Sequence, residues 1–153
     1  KARNTPVQSW FLDLSLLMAY WEGDGARTYH HTAPVNAMYG LHEALLMVKE
    51  EGLENSWHKH RAMHEVLVEN LNGIGLEFVV DASYRLPQLN LVKIPEGVDE
   101  AAVRKRLLSE FNLEIGAGLG AFAGKVWRIG LMGYSARHEN IQLCTSALKH
   151  CMR

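Results

Sequence analysis

Apolar residues recur along this chain at two periods, and the change between them comes once, after Gly75. Before it the spacing is helical. Phe11, Leu14, Met18 and Trp21 predict a helix over 10–21, with Asp13 and Ser15 near its start and Gly23 and Gly25 to stop it. Met38, Leu41, Leu45 and Val48 form the stripe of a second helix over 33–50, ended by Gly52. A third helix over 53–72 follows almost at once, with Leu53, Trp57, His64, Leu67 and Leu71 on one face and Gly73 and Gly75 closing it. The lack of a linker puts a boundary between two structural units near Gly52, with the third helix as the strut that joins them.

After Gly75 the period shortens towards two. Residues 76–80 and 88–94 read as strands, the second alternating Leu89, Leu91 and Ile94 with polar neighbours. Asp99 is placed to cap a helix over 100–111 that turns Val103, Leu107 and Phe111 inward. Residues 113–115 form a short strand candidate, 116–124 a loop of small residues, and 125–132 a further strand. Ser135 is the expected cap of a last helix whose buried stripe is Ile141, Cys144, Leu148 and Cys151. The expected class is α+β: leading helices, then a sheet of three or four mostly antiparallel strands packed with helices. No internal repeat is present.

Composition narrows the function more than the fold. The 153 residues are 48% hydrophobic and 22% charged, enough for one core, or one domain and part of another. A net charge of −1 offers no basic surface for nucleic acid. The best apolar run, 10–21, is broken by Asp13 and too short to span a bilayer. Cys144 and Cys151 lie on one expected helix about 10 Å apart in rise, too far for a mutual disulfide. With both thiols reduced, and with Cys151-Met152-Arg153 neither a peroxisomal address nor a prenylation box, a cytoplasmic location is expected. The opening Lys1-Ala-Arg-Asn-Thr-Pro reads as the middle of a longer chain.

Chemistry concentrates in a few stretches. Arg27-Thr28-Tyr29-His30-His31-Thr32-Ala33-Pro34 sets a phenol, two imidazoles and a hydroxyl before a helix start, with Thr32 as the expected cap and Pro34 in the first turn. Hydroxyls beside free N–H groups at the positive end of a helix dipole suit a phosphate, although a polar loop feeding a capped helix accounts for the same residues. Gly116, Gly118 and Gly120 mimic a dinucleotide fingerprint and Gly124-Lys125 the end of a P-loop. A strand follows rather than a helix, and Val126 stands where Ser or Thr should hold magnesium, so neither motif holds. His60 and His64 have the i, i+4 spacing of a zinc pair, but Arg61 occupies the place of a metalloprotease Glu and Lys59 adds repulsion; they read as a solvated helix face. Arg128 lies inside the apolar run 126–131, pointing with Gly130 and away from Trp127, Ile129 and Leu131. Its guanidinium could make a two-point contact with a carboxylate or guard a sheet edge, and the residues alone leave both open. No nucleophile elbow is present, and the Gly-rich loop has no Cys.

Tyr29-His30-His31-Thr32, Gly52-Leu53-Glu54-Asn55-Ser56-Trp57 and Gly124-Lys125-Val126-Trp127-Arg128-Ile129-Gly130 together, in this order and spacing, resemble the C-terminal part of class V aminotransferases of the alanine–glyoxylate / serine–pyruvate type. The resemblance covers nearly the whole chain. It implies the fold-type-I architecture: a large α/β domain carrying pyridoxal 5'-phosphate, a small C-terminal α+β domain, and a homodimer with active sites at the subunit interface. Residues 1–51 would then be the end of the large domain and 52–153 the small domain.

By the same likeness, Tyr29 and Thr32 match positions that reach the cofactor phosphate of the other subunit, and Arg128 matches the arginine that grips the substrate α-carboxylate. The implied substrates are an amino acid and a 2-oxo acid, with alanine or serine donating to glyoxylate or pyruvate. The Schiff-base lysine, the aspartate on the pyridine nitrogen and the Gly-rich phosphate turn lie upstream of the matched region in that family, and no lysine here stands in that lysine's context. No catalytic residue is therefore expected in this chain, which would depend on the missing N-terminal part of the enzyme. One rival is a cysteine-desulfurase-like relative, which would want a reactive Cys in the loop near the arginine. The other is a non-catalytic dimerisation or binding fragment.

Overall fold

A computed structural model describes residues 4–22 and 28–153. The chain divides into two compact units, Lys1–Met47 and Val48–Arg153. In the first, α1 covers Leu14–Met18 only, not 10–21. Asp13 explains the late start: its backbone is extended (φ −79°, ψ 99°), and its carboxylate accepts from the Ser15 N–H at 2.9 Å. An N-cap is by nature non-helical, so the apolar residues before it form turns instead. Gly23 and Gly25, the expected stop, lie outside the described residues.

Helix α2 covers Val35–Glu51, and the Pro34 carbonyl accepts the Met38 N–H at 3.0 Å. Thr32 is therefore not its cap, because the helix begins too late for the Thr32 hydroxyl to reach its first free amides. The expected stripe is apolar but uncovered among the described residues: Met38, Leu41 and Leu45 are each more than half exposed. Gly52 adopts φ +83°, a conformation glycine takes without steric cost, and this ends one helix and admits the next.

In the second unit, α3 covers Leu53–Gly73. Its buried residues are His60, Leu67 and Leu71, whereas Leu53 and Trp57 are exposed, so the inward face differs from the expected one. Residues 76–80 do not form a full strand. They run beside β1 (Leu89–Lys93) with one bridge, Phe78 to Val92, and two backbone bonds, Val79 N–H to Leu91 and Lys93 N–H to Glu77. Helix α4 spans Glu100–Phe111, as expected, with Asp99 accepting from the Ala102 N–H at 3.0 Å and Asn112 ending it at φ 50°. The strand expected at 113–115 instead falls at Gly116–Ala117 (β2). Strand β3 is Val126–Gly130. Helix α5 spans His138–Cys151 with Arg137 at its N-cap. Ser135 is not the cap: it closes a short 3-10 turn, Gly133–Ser135, and its carbonyl accepts from the Asn140 side chain.

The three strands form an antiparallel sheet in the order β1-β3-β2, with Leu91 and Gly116 both facing Arg128 across the register. One sheet face, with Val92, Trp127 and Ile129, joins Leu67 and Leu71 of α3, Leu107 of α4 and Ile141 and Leu148 of α5 in the core. This α+β arrangement matches the expected class. Among the described residues no helix is long and apolar enough to cross a membrane.

The turn between β2 and β3 has one position that only glycine fills. A Cβ at Gly118 would lie 2.0 Å from the Phe122 carbonyl oxygen, which is backbone and cannot swing aside. Gly118→Ala is expected to cost about 1–3 kcal/mol through forced backbone movement. A thermal melt of the variant against the parent protein checks this; equal midpoints would refute it.

Candidate functional site

The sequence marks Tyr29, Thr32 and Arg128, and the structure brings the first two together. The Tyr29 hydroxyl lies 2.6 Å from the Thr32 hydroxyl, and both side chains are exposed. The turn between them is held from α1's side of the unit by Tyr20, which the sequence reading missed. Its hydroxyl accepts the His30 N–H at 2.6 Å and the His31 N–H at 3.2 Å and lies 3.1 Å from the His31 carbonyl, to which it donates. Trp10 stacks on the His30 ring at 3.9 Å between centroids. His30 is buried, its Nδ1 is 2.6 Å from Nδ1 of His31, and its Nε2 makes no hydrogen bond among the described residues. The outcome is a rigid bend with two neighbouring hydroxyls on its outer side. Each hydroxyl has one proton, so the pair as bonded offers one donor to an anion, and both donate only once an anionic oxygen replaces their mutual bond.

Arg128 belongs to the second unit. Alternation along β3 sends Trp127 and Ile129 into the core and leaves Arg128 half-buried on the other face. Its Nε donates to the Ala117 carbonyl of β2 at 2.7 Å. The neighbouring Gly116 leaves room for the guanidinium, since a Cβ there would come within 3.2 Å of Nη2. The two Nη groups make no hydrogen bond among the described residues. A guanidinium fixed at Nε with its terminal fork unused is suited to a planar carboxylate. Strand residues 126–130 are central in the sheet, so the sheet-edge role for Arg128 is excluded.

The histidine pair is not a solvated face. His60 is buried: its Nε2 accepts the Gly133 N–H at 2.9 Å and its Nδ1 lies 2.6 Å from the Ser56 carbonyl. His64 Nδ1 lies 2.9 Å from Oδ1 of buried Asn90. The helix face simply rolls further inward than the apolar pattern indicates. Among the described residues no group of three or more His, Cys, Asp or Glu could hold a metal.

No family model matches the chain. Individual proteins do. It is 44% identical over 154 residues to an alanine–glyoxylate aminotransferase of Callithrix jacchus, covering 99% of this chain and 37% of that protein. It is 40% identical over 146 residues to an (S)-ureidoglycine–glyoxylate transaminase of Bacillus subtilis, covering 95% and 35% respectively. The crystal structure of an alanine–glyoxylate aminotransferase from Nostoc sp. aligns with a TM-score of 0.91 at 49% identity, covering 99% of this chain and 40% of that one. The chain belongs to the class V aminotransferase family. It spans little more than a third of the length of these curated relatives, a share consistent with the C-terminal portion of such an aminotransferase.

One titration in the chain has a definite sign. Burial, and to a smaller extent the Arg85 charge, lower the pKa of His64, and the Asn90 hydrogen bond only partly offsets this. A histidine with a folded pKa below its unfolded value of about 6.5 binds fewer protons folded than unfolded across that interval. Stability should therefore fall as pH drops below about 6.5 and level off once the folded pKa is passed. His64→Gln should reduce that slope in urea melts taken from pH 7 to 5; an unaltered slope would contradict the assignment.

Proposed function

We propose that this chain is the substrate-orienting portion of a pyridoxal-phosphate-dependent aminotransferase that moves an amino group from alanine or serine to glyoxylate or pyruvate. Residues 1–51 are the end of the cofactor-carrying large domain and 52–153 the small domain. The observation that carries the reading is Arg128: an arginine anchored by Nε to Ala117 beside a side-chain-free Gly116, with its fork unspent. Its role is to bind the α-carboxylate common to amino acids and 2-oxo acids, which fixes the orientation of the reacting α-carbon. Glyoxylate and pyruvate share that carboxylate with both donors, so one grip serves both halves of the exchange.

The residues at the bend fit a cofactor phosphate by donor chemistry: two exposed hydroxyls, 2.6 Å apart, ahead of a helix. Tyr29 and Thr32 would hold that group for the partner subunit of a homodimer. When bound, pyridoxal phosphate supplies the electron sink for bond breaking at the substrate α-carbon. This chain contributes the grip and the orientation, and the Schiff-base lysine is assigned to the N-terminal part of the enzyme, which we place in the cytoplasm. A desulfurase-like reading needs a reactive thiol. The chain's two cysteines are both buried on α5, and burial pushes the Cys144 thiol up to about 12, so neither is poised to act.

In the full-length protein, Arg128→Lys should raise the KM for the amino acid by about tenfold or more, since a point charge cannot replace the fork. Unchanged KM would remove Arg128 from the site. Tyr29→Phe should weaken retention of the cofactor, read as faster loss of its absorbance on gel filtration. Retention equal to the parent enzyme would show that the phenol does not serve the phosphate.

A further inference from the structure

The two histidines on α3 have no part in the reading above, yet one is linked through Asn90 to the strand that carries Arg128 and the other bonds the turn that follows that strand. His64 reaches it through Asn90: the imidazole Nδ1 lies 2.9 Å from Oδ1, and the amide Nδ2 donates to the Ile129 carbonyl at 3.3 Å and to the Pro87 carbonyl at 3.3 Å. Since Nδ2 is the amide's donor side, Oδ1 is an acceptor and His64 must carry its proton on Nδ1. His60 reaches the turn that follows the strand directly. Its Nε2 accepts from the Gly133 N–H at 2.9 Å, which leaves the proton on Nδ1, donated to the Ser56 carbonyl at 2.6 Å. Both rings therefore share one tautomer and stand one helical turn apart. They fasten points on either side of Gly130 to the same helix. Asn90 is 2% exposed and His60 7%, so water competes poorly for these bonds.

We propose that His60 and His64 are a pair of positioning residues that hold the end of β3 and the turn after it from the core side, so that the guanidinium emerging on the opposite face keeps its pose against Gly116 and Ala117. The inference rests on the carboxylate role of Arg128. Its physical basis is the alternation of the strand: Ile129 is the immediate neighbour of Arg128, and a shift of its carbonyl rotates both side chains together. Gly133 sits in the turn that follows the strand, at φ +54°, and the turn's other hydrogen bonds, the one from Asn140 to the Ser135 carbonyl included, all come from within five residues of sequence. A pair of apolar side chains could fill the same space without setting the rotation of the strand. The two imidazoles, each bonded through one specified nitrogen, set it.

The test uses the full-length enzyme and the variants His60→Phe and His64→Phe, which keep an aromatic ring and remove the specified nitrogens. Each should raise amino-acid KM by about three- to tenfold with kcat nearly kept, because a displaced grip weakens binding in ground and transition states alike. Hydrogen exchange over residues 131–136 should be faster in His60→Phe. His60→Gln, whose amide oxygen can accept the same N–H, should return both readouts towards the parent values. Faster exchange with KM within twofold of the parent would overturn the proposal and leave the histidines purely structural; unchanged exchange would overturn the Gly133 bond itself. Should one phenylalanine variant fail to fold, the other decides on the same KM criterion. If Arg128→Lys raises KM and neither histidine variant does, the positioning role alone falls. An unchanged KM in Arg128→Lys means that the carboxylate site itself was misassigned.

Discussion

The alternation of strand β3 is the constraint on which the rest of the second unit depends. Trp127 is fully buried and Ile129 nearly so, and together they fix the rotation of the strand against α3, α4 and α5. Arg128 must then emerge on the opposite face, between Leu91 of β1 and Gly116 of β2. A slip of one residue would exchange a buried indole for a buried guanidinium, so the register is strongly enforced. The hydrogen bond from Nε to Ala117 then fixes the direction of the guanidinium.

The parts of this arrangement that were legible beforehand are those with a strong local period and a local terminator. Asp99 before an amphipathic run marked α4, and the alternation around Arg128 marked both β3 and the direction of its one charged residue. The errors at element ends came where a short-range bond or turn redirected the backbone against the apolar period. Asp13 caps a short α1 in the middle of an apolar run, a placement the periodicity of 10–21 hides. Thr32 bonds Tyr29 instead of a helix amide, and Ser135 lies in a turn that precedes α5.

His60 and His64 are the most instructive case. Flanked by His58, Lys59 and Arg61, they look like members of a charged surface. Their true environment is set by Gly133 and by Asn90, 73 and 26 residues away. No window of a single sequence contains those partners, and two polar groups that satisfy each other leave no hydrophobic signature. The same holds for Tyr20, whose hydroxyl shapes the bend at His30 and His31 from ten residues upstream. For α2 the reverse applies: the apolar stripe was plain, but a stripe carries no information about what covers it.

The central claim is that Arg128 holds the carboxylate of the substrate. A crystal structure of the full-length protein with its cofactor and a bound 2-oxo acid or unreactive amino-acid analogue tests it most directly. The account predicts two parallel contacts of about 2.7–2.9 Å from the Arg128 guanidinium to the ligand carboxylate, with Nε still on Ala117. A carboxylate bound elsewhere, with Arg128 turned away from it, would contradict the account.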